Sequence, residues 1–231
     1  MFGQKKGYKN KRPDRRVFNN TRVQNAASNL LANIRFSSVD KEIKTISVSS
    51  SVPNEGKTTI VIALAIAMGA SGKSCVILEC DMRRRSLTKA LSARPKHGIH
   101  AVMVGECDLD SAVIETDYEN VYLLDAEAGI PKPDSILNAQ TFTDLLEALS
   151  SIYDYVLIDT PPATAFADAA IVASKVDAAI LVVKEGLVRK PDLLSVKSQF
   201  DAGNANVIGV VINSKRSSQG RYGYSHYYEN D

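Results

Sequence analysis

Short apolar runs recur along this chain, each bounded by polar or turn-forming residues. They fall at residues 43–48, 74–78, 121–124, 155–158, 178–183 and 207–212. Runs of this length and character read as buried strands. Between them lie segments with helical spacing. Over residues 17–41, Ala26, Leu30 and Ile34 with Val23 and Ala27 predict an amphipathic helix that packs on the main body. The alanine-rich segment 60–70 predicts a buried helix, and residues 135–149 predict another. Residues 86–118 read as short helices and loops, and the prolines and glycine of 129–134 set a loop. Alternating strands and helices predict an α/β fold, with a mostly parallel sheet carrying helices on both faces.

The most informative polar break is Ser49-Ser50-Ser51-Val52-Pro53-Asn54-Glu55-Gly56-Lys57-Thr58-Thr59, between the first strand and the helix that follows it. Gly-Lys-Thr at such a junction is the core of a P-loop, with Ser51 where the full pattern asks for glycine. Backbone N–H groups wrap a triphosphate, a lysine neutralises its outer charge and a hydroxyl holds Mg²⁺. The candidate phosphate-binding residues are Asn54, Glu55, Gly56, Lys57, Thr58 and Thr59. This spacing predicts a P-loop NTPase.

Two more strand ends carry carboxylates. Glu79-Cys80-Asp81-Met82-Arg83-Arg84-Arg85 closes the second strand, and its acids at i and i+2 lie on one side, at the sheet edge where α/β proteins bind ligands. Tyr155-Val156-Leu157-Ile158-Asp159-Thr160-Pro161-Pro162 describes a Walker B strand, which points Asp159 at the hydration shell of Mg²⁺. Asn213 ends the last strand, where its amide either reads a purine edge or makes a turn. His97 and His100 lack a nearby third ligand and read as surface or packing residues.

Composition bounds the rest. A chain of 231 residues with 45% hydrophobic and 23% charged residues is that of a soluble globular domain. No apolar run is long enough to span a bilayer and no signal segment is evident, so a cytoplasmic location is expected. Cys75, Cys80 and Cys107 form no C-x-x-C pair and read as reduced thiols. The net charge of +2 hides an asymmetry: residues 1–16 are +6, leaving −4 on the remainder. Such a basic end is a solvated tail, the plainer reading, or a surface for anionic lipid or an acidic partner. Four of the nine tyrosines fall within residues 222–228, in a polar Gly/Ser context that no core can use. The expected organisation is a basic flexible N-terminal tail (1–20), a P-loop domain (21–216) and a tyrosine-rich flexible tail (217–231).

Together, the P-loop, the Glu-x-Asp-x-Arg-Arg strand end, Tyr-Asp-Tyr-Val-Leu-Ile-Asp-Thr-Pro-Pro and the tyrosine tail resemble the bacterial tyrosine kinases linked to capsule and exopolysaccharide synthesis. The likeness runs from about residue 20 to the C-terminus. It implies an ATP- and Mg²⁺-dependent autokinase that phosphorylates the tail of a neighbouring copy on Tyr222, Tyr224, Tyr227 or Tyr228. It also implies a separate transmembrane adaptor of the polysaccharide co-polymerase type, which recruits the kinase to the inner face of the membrane, and no nucleic-acid partner. By the same resemblance Lys57 binds the β/γ-phosphates and Thr58 ligates Mg²⁺. Asp81, of Walker A′, lies beside the metal and the incoming phenol, Asp159 orders the metal's waters, and Asn213 touches adenine.

Three departures from the family pattern stand out. Glu79 replaces the usual first Asp of Walker A′, and Arg85 replaces a usual Pro. Asn25, Ser28 and Leu31 occupy the positions of a Glu-x-x-Arg-x-x-Arg motif that supports the family's ring-shaped oligomer. Whether a ring forms here, or is held by other contacts, is left open by these residues. Two other readings compete. One is an ATPase switch of the partitioning and cell-division type, but Val52 stands where those proteins carry a signature lysine. The other is a nucleotide-binding scaffold with weak catalysis.

Overall fold

The computed structural model describes residues 15–38, 41–130 and 132–214. The basic residues 1–14 and the four tail tyrosines therefore lie outside the described residues. The chain runs through α1 (Thr21–Phe36), β1 (Thr45–Ser50), α2 (Lys57–Ala70), β2 (Cys75–Glu79), α3 (Leu87–Leu91), α4 (Ile99–Met103) and α5 (Leu109–Ala112). It continues with β3 (Ile114–Glu115), β4 (Val121–Leu124), α6 (Pro133–Asn138), α7 (Gln140–Ile152) and β5 (Tyr155–Asp159). The last elements are α8 (Asp168–Ala173), β6 (Ala178–Lys184), α9 (Lys190–Ala202) and β7 (Val207–Asn213).

The seven strands form one sheet in the order β3-β4-β2-β5-β1-β6-β7. Every pairing is parallel except β3 with β4. Parallel strands need both faces covered, which explains why β1 and β2 are buried at every position. Alternate residues serve opposite faces. Ile77 joins Ile46, Val48, Leu157, Ile180 and Val182 under α1 and α2, while Val76 and Leu78 meet Phe142, Leu145, Leu146 and Leu149 of α7 on the other side. A third cluster, with Leu181, Ala169, Val196 and Phe200, packs α8 and α9 beside it. The expected α/β architecture is present. No helix among the described residues is long and apolar enough to cross a membrane.

Carboxylates tie the N-terminal edge of the sheet. Asp154, just before β5, accepts hydrogen bonds from the N–H and hydroxyl of Ser74 (2.9 and 3.0 Å), which immediately precedes β2. Asp177, just before β6, does the same for Lys44 N (3.2 Å), Thr45 N (2.9 Å) and Thr45 Oγ1 (2.8 Å) at the head of β1. Lys73 and Lys41 pair with the remaining oxygens of these two acids, at 2.9 and 2.8 Å.

Several local expectations are corrected. Helix α1 buries Ala27, Leu31 and Ile34, whereas Ala26 faces outward. The apolar stripe is one step off the expected line because alanines at 26 and 27 fit either face. The helix expected over 135–149 is two, because Ala139 is extended (φ −60°, ψ 149°) between α6 and α7. Strand β3 has two residues, too few for any periodic signal.

Candidate active site

The P-loop connects the buried end of β1 to the first turn of α2. Two residues adopt left-handed conformations, Asn54 (φ 69°) and Gly56 (φ 95°). Position 56 must be glycine for a second reason: a Cβ there would lie 2.1 Å from Nδ2 of Asn213. That amide nitrogen donates to the Glu55 carbonyl at 2.8 Å, so the end of β7 braces the loop. The Glu55 side chain is buried and accepts hydrogen bonds from Val52 N (2.9 Å) and Lys184 N (3.0 Å). Its carboxylate therefore clamps the loop to β6 rather than facing a phosphate. The N–H groups of Lys57, Thr58 and Thr59 fall in the turn that a helix leaves without internal acceptors, and the helix dipole adds positive potential there. Helix α2 holds this turn rigid because Val61, Ile62, Leu64, Ala65 and Met68 are buried around it.

Four functional side chains meet at the C-terminal edge of the sheet. Parallel pairing sets Glu79 beside Asp159 on adjacent strands, and β1 lies on the other side of Asp159. Lys57 Nζ reaches Asp159 Oδ1 at 2.6 Å and Asp81 Oδ2 at 4.0 Å. Thr58 Oγ1 donates to the second Asp159 oxygen at 2.7 Å. Ser86, a residue not singled out from the sequence, places its hydroxyl 3.0 Å from Thr58 Oγ1. Lys57, Thr58, Asp81 and Asp159 are thus brought together as expected from their spacing.

Glu79 sits in a different setting. It was expected among the catalytic acids, yet both of its oxygens are used by backbone donors. Asp81 N lies at 3.1 Å from one, and Ser86 N and Leu87 N lie at 2.7 and 3.0 Å from the other. The longer side chain reaches across the Walker A′ turn to the start of α3 and holds Asp81 in place. Burial, then the neighbouring Asp159 charge, push the Glu79 carboxyl up to about 8, against the pull of Lys57 and the backbone donors. Burial also raises Asp81, partly offset by Lys57. For Lys57, burial works against the charge, but Asp159, Glu79 and Asp81 outweigh it and hold the ammonium above its ordinary value.

Two of the three arginines of the turn are anchored by buried acids. Arg85, in place of the family's Pro, pairs with buried Asp125 after β4. Arg83 pairs with buried Asp168 at the start of α8 (3.2 Å). None of these partners was legible from the sequence, because each lies on a different element.

The donor set fits magnesium rather than a protein-caged ion. Two aspartates, Asp81 and Asp159, face one lysine, and a divalent cation relieves the negative charge left over. No group of three His, Cys, Asp or Glu capable of holding a metal occurs among the described residues. A hydroxyl plus one or two carboxylates, with phosphate oxygens completing the shell, is how Mg²⁺ is held in nucleotide sites. At the loop's first position the buried Ser51 hydroxyl has no hydrogen-bond partner among the described residues.

The fold and site define a P-loop nucleotide-handling protein with two strand-end carboxylates. Residues 43–186 match the AAA domain family. The chain is 34% identical over 195 residues to tyrosine-protein kinase CpsD of Streptococcus pneumoniae serotype 4, covering 84% of this chain and 85% of that protein. It is 28% identical to tyrosine-protein kinase YwqD of Bacillus subtilis over 193 residues, 83% of this chain and 81% of the relative. The kinase domain of Escherichia coli tyrosine kinase ETK superposes with a TM-score of 0.83 over 96% of this chain and 89% of that one; at 22% identity it shows the shared fold. The chain belongs to the bacterial tyrosine-protein kinase family.

Proposed function

We propose that this protein transfers the γ-phosphoryl group of ATP to tyrosines in the tail of a neighbouring copy, and that this reaction regulates capsular or exopolysaccharide synthesis. One observation carries the mechanism: Lys57, Thr58, Asp81 and Asp159 converge at the P-loop mouth, with Lys57 within 4.0 Å of both aspartates. The first turn of α2 and Lys57 bind and orient the triphosphate. Thr58, Asp81 and Asp159 are the residues that would hold Mg²⁺, which supplies charge neutralisation on the phosphate oxygens when bound. Asn213 would approach adenine with its amide oxygen, since the nitrogen is held by the Glu55 carbonyl.

A phenol of pKa about 10 is a weak nucleophile at neutral pH, but phosphoryl transfer passes through a loose transition state that asks little of it. Positioning and charge therefore dominate. The phenol oxygen forms a bond to the γ-phosphorus as the bond from that phosphorus to the β–γ bridging oxygen breaks. ADP departs with the electron pair, and Asp81 takes the phenolic proton. An adaptor embedded in the membrane and exposing a cytoplasmic segment would bring the kinase to the inner face. Self-association follows from transfer between copies.

Incubation of the full chain with ATP and Mg²⁺, with and without an adaptor-derived peptide, tests this reading through anti-phosphotyrosine detection. Tail signal is expected, and Lys57→Met is expected to lower it by about 10²–10³-fold. ATP hydrolysis without tyrosine labelling would overturn the kinase reading in favour of a switch; neither activity would leave a scaffold.

A further inference from the structure

Beside the turn that carries Asp81 stands an aromatic group that phosphate chemistry does not use. Phe166 lies between β5 and α8, two residues past Thr164, whose N–H and hydroxyl both bond the Ser51 carbonyl (3.2 and 2.5 Å). Phe166 is 39% exposed. The guanidinium carbon of Arg83 stands 4.1 Å from the ring centroid. Arg83 is two residues past Asp81, and Asp168 pins it through Nε at 3.2 Å and the terminal nitrogen at 3.5 Å. The ring thus bridges the turn carrying Asp81 and the loop following Asp159. A partly exposed aromatic beside the Asp81 turn, backed by a cation, gains from a second ring laid against it.

We propose that Phe166 and Arg83 form the seat for the acceptor tyrosine's ring, and that the seat selects the acidic end of a second copy's tail. The inference rests on the kinase reading above and names its acceptor site. A phenol held in line with the γ-phosphorus needs its ring fixed from the side, and offset or edge-on contact with Phe166 supplies that constraint. Charge then discriminates among the tyrosines. The turn beside the seat presents Arg83, Arg84 and Arg85 in succession, and the pairing of Arg83 with Asp168 and of Arg85 with Asp125 leaves one net positive charge there. Tyr227 and Tyr228 are followed by Glu229 and Asp231, whereas Tyr222 follows Arg221. The acidic end is attracted to this turn and the basic stretch is repelled. Tyr227 and Tyr228 are therefore filled before Tyr222.

The test uses full chains in trans. The acceptor is the Lys57→Met chain, and the enzyme is the chain with its four tail tyrosines changed to phenylalanine, with or without Phe166→Leu. Phe166→Leu is expected to raise the acceptor KM about three- to tenfold while kcat changes little, and Phe166→Tyr is expected to restore it. Affinity for a fluorescent ATP analogue separates the roles. An unchanged KM, or a parallel loss of nucleotide affinity, would overturn the seat. Site-resolved mass spectrometry at early times should find Tyr227 and Tyr228 modified first, and Glu229→Lys with Asp231→Lys should raise KM. The reverse order, or indifference to those charges, would overturn the selection. Absence of transfer by the enzyme with Phe166 intact strikes the kinase reading instead, so the two failures are distinguishable.

Discussion

Acidic side chains terminate both edges of the same sheet, under opposite physical regimes. At the N-terminal edge, Asp154 and Asp177 accept backbone N–H groups of the neighbouring strand and reach exposed lysines. Hydrogen bonds from Lys73 and Ser74 lower the Asp154 carboxyl to about 2. Asp177 is lowered as well, since hydrogen bonds from Lys41 and Thr45 outweigh its partial burial. Their charges stabilise the fold. At the C-terminal edge, Asp81 and Asp159 share one lysine in a buried space beside Glu79, and burial raises Glu79 and Asp81. Those charges cost stability in the free protein, and they are retained where a metal-bound nucleotide would repay the cost. The same residue type is structural where the backbone of a neighbouring strand and exposed lysines hold it, and available for chemistry where phosphate-loop side chains meet it.

The comparison makes distinct demands on mutants. The largest expected effect is that of Asp81→Asn, which should slow tyrosine phosphorylation by about 10²–10⁴-fold while leaving the melting temperature equal or higher. A large loss of stability would erase the contrast between the edges. Asp177→Ala should do the converse. It orphans donors of Lys44 and Thr45 and should cost about 1–3 kcal/mol by chemical denaturation, with activity per folded molecule preserved. Selective loss of catalysis in that variant would contradict the assignment of its edge to structure.

The smallest effect concerns acid. Asp154 has a folded pKa below its unfolded value of about 4, so its contribution is complete above that pH and is lost as pH falls towards 2. Asp154→Asn should flatten that limb of a stability–pH curve. An unaltered limb would mean that other groups govern acid unfolding.

How far the sequence alone reached can be judged from particular residues. Lys57, Thr58, Asp81 and Asp159 were legible because strand ends and a helix start have fixed directions in an α/β sheet. Ser86 and Phe166 were not, since neither sits at a patterned spacing and each acquires meaning only from a partner on another element. Glu55 and Glu79 were read as site residues by position, yet their carboxylates are spent on backbone donors.

Local order determined the strands, the buried helix α2 and the phosphate loop, because apolar periodicity and glycine conformations are properties of consecutive residues. Tertiary packing decided which carboxylates stay available for chemistry. Hydrogen-bond partners such as Ser86 N for Glu79, or Asp168 for Arg83, come from distant parts of the chain. Whether a buried acid is a ligand or a brace depends on which donors the fold delivers to it, and that is a fact of three-dimensional proximity.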